Sequence, residues 1–240
     1  IKDTIKMSMV HDTKDSLFVS KCSWKLTWPL AIGMLVPGFG STLPLGYGLG
    51  VLNSPQKVIR VWINETLQIN HGILLSDSHE VIVWAVIVSI FLIGAVISAS
   101  FGALVADRLG RRNAFLVNHL FSLSASFIFV FFKYVGSVEI LLFSRFLLGL
   151  TSGLASSLVP MYLSEIAPQP LKGSINVLVM VFLTSGLILS MVSGLDDLLG
   201  NTDLWHYHVG LFGIPVVISL LLHAFLQESP TYCFYISKDR

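Results

Sequence analysis

Between two long uncharged stretches the chain reads Asp107-Arg108-Leu109-Gly110-Arg111-Arg112, three guanidiniums and one carboxylate within six residues. Arginine presents a fork of donors matched to carboxylates, an acidic side chain complements a helix N-terminus, and Gly110 permits a tight turn. The chemistry on offer is ion pairing, either as a latch to a neighbouring helix or as a solvated basic loop. Glu165, Lys172 and Glu228 are further charges outside the apolar stretches, which residue type alone leaves independently solvated or paired. Exposed ion pairs stabilise by only about 0–1 kcal/mol each, which suits contacts that must open repeatedly. Arg145 lies a turn inside an apolar stretch, so it is either paired in the interior or snorkels to the nearer interface. Covalent chemistry is poorly served. His119, His206, His208 and His223 have neither ligand spacing nor nearby acids within their apolar stretches, so no catalytic residue, metal or cofactor is expected.

The elements that must position these groups follow from composition. Of 240 residues, 54% are apolar and only 12% are charged, and the charges gather between long uncharged runs. Such a chain faces lipid, and the segregated charge leaves no surface for a nucleic acid. A spanning helix needs about 20 apolar residues to cross about 30 Å of hydrocarbon. Six stretches free of Asp, Glu, Lys and Arg qualify: Leu26–Gln56, Val81–Ala106, Asn113–Phe132, Phe146–Ser164, Gly173–Leu195 and Leu204–Gln227. The fourth reaches full length by starting near Ile140, which draws Arg145 inside. The expected organisation is a cytosolic segment over 1–25, a six-helix membrane domain over 26–227 and the start of a central cytosolic loop over 228–240. With both ends inside, Lys2, Lys6, Lys14, Lys21, Lys25, Arg108, Arg111, Arg112, Lys172, Lys238 and Arg240 are cytosolic, against Lys57, Arg60 and Lys133 outside. Cys22 and Cys233 then face the cytosol as free thiols. No cleavable signal peptide is evident, and the chain starts at Ile1, so an earlier N-terminus is expected.

Helices in lipid pack through small residues, and three spans carry them at every fourth position: Gly94, Ser98 and Gly102; Gly149, Gly153 and Ser157; Gly186, Ser190 and Gly194. These stripes predict packing seams. The first span interleaves Pro29, Pro37 and Pro44 with six glycines, which predicts a bent or locally unwound helix, lining a cavity or simply kinked. The longest connection, from about Leu52 to His79, is expected outside and contains Asn64-Glu65-Thr66, an N-glycosylation acceptor pattern.

The loop from Ala103 to Arg112 resembles the major facilitator signature Gly-x-x-x-Asp-Arg-x-Gly-Arg-Arg, with Ala103 in place of the leading Gly and Gly102 one position early. Further segments, in order and spanning nearly the whole chain, resemble the facilitative hexose transporter family, the sugar porter branch of that superfamily. They are Gly46-Tyr47 with Gly50-Val51-Leu52-Asn53-Ser54-Pro55-Gln56, Arg145-Phe146-x-x-Gly149, Val159-Pro160-Met161-Tyr162-x-x-Glu165-x-x-Pro168, Gly194-Leu195-Asp196 with Gly200-Asn201-x-Asp203-Leu204-Trp205, and Glu228-Ser229-Pro230. The resemblance implies an all-α membrane fold, the six-helix N-terminal bundle of a twelve-span carrier built as a 3+3 repeat. It implies passive transport of a hexose or related small sugar by alternating access, with no bond made or broken, at the plasma membrane. It also implies a gate of Asp107, Arg108, Gly110, Arg111, Arg112, Arg145, Glu165, Lys172 and Glu228, and a solute site at Tyr47, Met180, Leu183, Thr184 and Leu187.

Departures from the family pattern fall at this site. The fifth-helix Gln that hydrogen-bonds sugar is Met180 here, after Val179, and Met supplies no amide donors or acceptor. Thr184 and Ser185 compensate in part. First-helix Phe and Asn positions are Leu45 and Gly48, and the Arg after Glu-Ser-Pro is Thr231. Proton-coupled sugar porters pair a first-helix Asp with the arginine at Arg145; Gly48 at that position offers no proton acceptor, which favours facilitated diffusion. Most sugar-contacting groups of the family lie in a second half, so a C-terminal half or a partner chain is required, and a non-transporting sensor or regulatory subunit of the same fold is the alternative.

Overall fold

The computed structural model describes residues 28–72, 76–168, 171–229 and 232. The expected cytosolic segment 1–25, Cys22, Thr231 and Cys233 lie outside them. Six helices are long and apolar enough to cross a membrane: Leu30–Gly50, Ser78–Leu109, Arg111–Val135, Val138–Ile166, Lys172–Ser193 and Trp205–Phe225. No strand occurs among the described residues, and the chain is an integral, multi-pass, all-α membrane protein. Each expected stretch holds one span. The second and fourth overrun their charge-free cores because Asp107, Arg108, Glu139 and Glu165 remain helical where the chain leaves the hydrocarbon.

The stripes of small residues set the packing. Second and fourth spans meet along theirs: a Cβ on Gly94 would stand 2.6 Å from the Phe146 carbonyl oxygen, and one on Gly102 2.6 Å from Ser157 Cβ. Ser157 Oγ donates to the Ala99 carbonyl across this seam at 3.1 Å. The third stripe faces the first span, where Gly186 lies against the Leu43 carbonyl and Gly46 against that of Leu183. Third and sixth spans close similarly, with Ser126 Oγ donating to the Gly210 carbonyl at 2.7 Å. An exchange of first with fourth, second with fifth and third with sixth carries the second–fourth seam onto the first–fifth seam and the third–sixth seam onto itself, as a 3+3 repeat requires.

The first span is the enclosed one. In its most apolar stretch 78% of residues are buried, against 22% for the second span and 17% for the fifth. It is also locally unwound, one of the two forms its prolines and glycines imply: Trp28–Pro37 is α-helical, Gly38–Thr42 makes a π turn, and Leu43–Gly50 resumes the α-helix. Pro44 lies in the first turn of that last piece, so its missing N–H falls where the bonding changes from the π to the α pattern.

One expectation is corrected. The connection after the first span is not a plain loop; it holds a helix, Gln56–His71, ended by Gly72 at φ +65°. Ile59, Ile63 and Thr66 share its buried face, and Trp62 sets its ring edge on Phe132 and Trp205. Its charged residues excluded it from a search for spans, although the apolar period was readable. Asn64 thus lies mid-helix and half-buried, with Thr66 buried beside it, rather than in the open loop the acceptor pattern implies.

The seams yield a paired expectation. Gly149→Ala drives a methyl into the backbone oxygen of Phe91, which cannot yield as a side chain would, and should destabilise by about 1–3 kcal/mol. Gly173→Ala adds its methyl to open space and should be neutral or stabilising by up to about 1 kcal/mol. Thermal unfolding of both variants in detergent checks the contrast.

Candidate gate and solute site

The turn between second and third spans has a single linking residue. Gly110 takes φ +84°, and a Cβ there would press to 2.9 Å from Tyr232 and 3.1 Å from Glu228 Oε2. This lets the third span begin at Arg111 directly beside the ends of the fourth and sixth. Arg111 is buried and makes a forked pair with Glu165, Nη2 to Oε1 at 3.0 Å and Nε to Oε2 at 3.2 Å. Its Nη1 donates to Asp107 at 2.9 Å and to the Ala106 carbonyl at 3.3 Å. The Tyr232 ring lies 5.6 Å from the guanidinium carbon.

Ser229, fully buried, donates from Oγ to Glu165 Oε2. Glu228 accepts from the backbone N–H of Arg112 at 3.1 Å and of Ser229 at 3.3 Å, while Arg112 Nη2 donates to the Ala224 carbonyl at 3.3 Å. Tyr162 adds a bond to the Gln227 carbonyl at 2.9 Å. The ends of the second, third, fourth and sixth spans are thereby tied at one end of the bundle. Two expected members stand apart: Arg108 is exposed, and Lys172 pairs with no acid among the described residues, because Arg111 takes Glu165. Ser229 was legible only as the middle of Glu228-Ser229-Pro230, with nothing to assign it a partner.

Arg145 does not snorkel. It is 3% exposed, donates from Nη1 to the Gly48 carbonyl at 3.1 Å and lies 4.9 Å over the Phe91 ring. Among the described residues no carboxylate pairs with it. Its charge is met by a carbonyl dipole and an aromatic face, which are weaker but still favourable partners.

The expected solute residues divide. Met180 is 62% exposed and Thr184 is exposed, both on the open side of the fifth span. Leu183 and Leu187 are half-buried beside the first span, near Gly46 and Gly50. Thr184 donates to the Met180 carbonyl at 2.8 Å, and Ser185 to that of Val181 at 2.7 Å, so both hydroxyls spend their proton on the helix's own backbone and keep only acceptor capacity. Tyr47 is elsewhere: its hydroxyl is buried, donates to the His208 carbonyl at 2.8 Å and lies 3.0 Å from His208 Nδ1 and 3.1 Å from Ser193 Oγ. Those contacts fix the first span to the fifth and sixth.

Residues 33–240 match the family described as Sugar (and other) transporter. The chain belongs to this sugar transporter family. It is 35% identical over 215 residues to the human facilitated glucose transporter member 5 of solute carrier family 2, covering 90% of this chain and 43% of that protein. With the human member 9 it shares 34% over 203 residues, 85% of this chain and 38% of that one. The fold matches the proton:xylose symporter XylE bound to 6-bromo-6-deoxy-D-glucose with a TM-score of 0.75 at 22% identity, covering 85% of this chain and 46% of that one. An inward-open XylE from E. coli gives 0.68 at 22% identity, covering 86% and 50%. The chain therefore spans under half the length of the human relatives, and its family is one of transporters, not enzymes.

Burial ranks the charges of the tied end. Asp107 is 64% exposed at its side chain and Glu165 only 14%, so Asp107→Asn should change stability by about 0–1 kcal/mol. Glu165→Gln strips the buried guanidinium of its forked partner and should cost more, on the order of 3 kcal/mol. Thermal midpoints of the two variants, read side by side in detergent, test this order.

Proposed function

We propose that this chain is the N-terminal six-span half, residues 26–227, of a carrier that moves a hexose or related small sugar passively by alternating access. The family and the two human relatives support the sugar class, and the tied end of the bundle supplies a closure that can open without breaking a covalent bond. In this reading Arg111, Glu165, Glu228 and Asp107 form the cytosolic gate, with Gly110 and Arg112 setting its geometry. Residues 1–25 and 228–240 flank the bundle on the cytosolic side of a plasma membrane. The outer helix carries Asn64 as a glycan acceptor.

One observation carries the passive reading: Arg145 meets the Gly48 carbonyl where a coupled carrier needs a carboxylate. A carbonyl cannot take up and release a proton at working pH, so nothing in this pair links solute movement to a proton gradient. The solute faces the open side of the fifth span around Met180 and Thr184, with Leu183 and Leu187 at its edge. A thioether and an outward acceptor give a less polar wall than an amide does, which lowers the affinity expected for a hydroxyl-rich solute. A second six-helix half completes the cavity.

Uptake of radiolabelled glucose and fructose into vesicles holding the full-length protein is the test. Saturable uptake that ignores an imposed proton gradient is expected, and gradient-driven accumulation would overturn the passive reading. Met180→Gln should strengthen hexose binding by up to about tenfold, equal to about 1.4 kcal/mol. Unchanged uptake and selectivity in that variant would remove Met180 from the solute path.

A further inference from the structure

Around its π turn the first span meets the third and sixth through polar side chains buried at membrane depth. Ser41, within the turn, accepts from Asn118 Nδ2 at 3.1 Å and lies 3.2 Å from His119 Nε2. Ser219 donates to the Val36 carbonyl at 2.7 Å, just ahead of the turn, and stands 3.4 Å from the same Nε2. His223 completes the group, its ring edge-on to His119 with centroids 6.0 Å apart. The cluster comes up to the backbone at Gly40, where a Cβ would run into both Ser219 Oγ and His119 Nε2.

Asn118, His119, Ser122 and His223 are each less than a tenth exposed, yet Asn118 Oδ1, His119 Nδ1, Ser122 Oγ and His223 Nδ1 meet no hydrogen-bond partner. These are four of the eight such buried atoms among the described residues, and three of them, on Asn118, His119 and Ser122, fall within five consecutive residues of the third span, Ser122 one helical turn from the other two. Leaving a buried donor or acceptor unmet forfeits its full desolvation cost, and hydrocarbon supplies no partner. The unmet set is mixed in kind. Asn118 Oδ1 only accepts, Ser122 Oγ donates and accepts, and each histidine Nδ1 does one or the other according to its tautomer. A cation answers acceptors alone, and no carboxylate joins the cluster among the described residues. Water answers both kinds.

We infer that this cluster is an ordered-water site, in which buried water bridges Asn118, His119, Ser122 and His223 and pins the unwound part of the first span to the third and sixth. Buried waters of this type make two to four bonds to groups that otherwise lack partners. The site is separate from the open side of the fifth span, and it does not depend on which solute is carried.

Ser122 isolates the inference, because its hydroxyl has no partner within the protein. If the hydroxyl bonds water, Ser122→Ala in the full-length, detergent-solubilised protein lowers the thermal midpoint by about 2–4 °C. If it is unmet, the same change removes a penalty, so an unchanged or higher midpoint overturns the inference. A structure at a resolution that shows ordered water elsewhere gives the second readout. Water density within hydrogen-bond reach of Asn118 Oδ1 and Ser122 Oγ is expected, and an empty cluster there overturns the inference even if the variant is destabilised.

Discussion

Lipid gives apolar helices little reward for touching each other, because the hydrocarbon they leave is as apolar as the neighbour they meet. What holds this bundle must therefore be close backbone approach, and the glycine and serine stripes supply it. Gly94 and Gly102 with Gly149 and Gly153 bring second and fourth spans together, and Gly46 with Gly186 does so for first and fifth. The larger side chains fill the space between seams, as where Tyr47, Phe91, Leu148 and Phe212 share one core at the end nearer Trp205. A second core around Phe115, Tyr162 and Leu163 underlies the tied end. The seams decide which spans touch, and the cores then fill whatever shape the seams leave.

The same solvent dictates where charge can sit. Arg111 is buried but collects two carboxylates and a carbonyl at the edge of the hydrocarbon, where removing either long side chain leaves the other uncompensated. Arg145 is enclosed deeper and has only a carbonyl and a ring. The contrast separates two uses of arginine. At the bundle end the guanidinium joins three spans through bonds that can be exchanged for water, while inside the bundle it is held by groups that never change charge.

Much of this was legible in the sequence because the period and the charge map both report on lipid. All six spans, an irregular first span, the glycine seams and the tight turn at Gly110 follow from residue type alone; that the irregularity is a π turn just after Pro37 does not. Partner identity does not. Glu165 had Lys172 seven residues away and Arg111 more than fifty away, and the nearer cation was not the one it meets, because the turn at Gly110 aims Arg111 at it. The partners of Tyr47 were hidden for a related reason: its motif marks the end of the first span, but only the packing of that span against the sixth reveals that its hydroxyl donates to the His208 carbonyl. The helix Gln56–His71 was missed because a search tuned to uncharged runs passes over an amphipathic one.

The two kinds of contact also differ in how they can move. A seam in which a glycine faces a backbone oxygen has one register, since sliding by a residue would set a side chain against that oxygen. First and fifth spans, and second and fourth, are thus fixed pairwise, and Tyr47 fixes the first to the sixth. The bonds at the tied end have no such register: a carboxylate and a guanidinium can separate and re-form with only water intervening. Alternating access, in the function proposed above, therefore asks this half to rock with its seams intact, and any rearrangement within the half falls to the exchangeable bonds of its charged end.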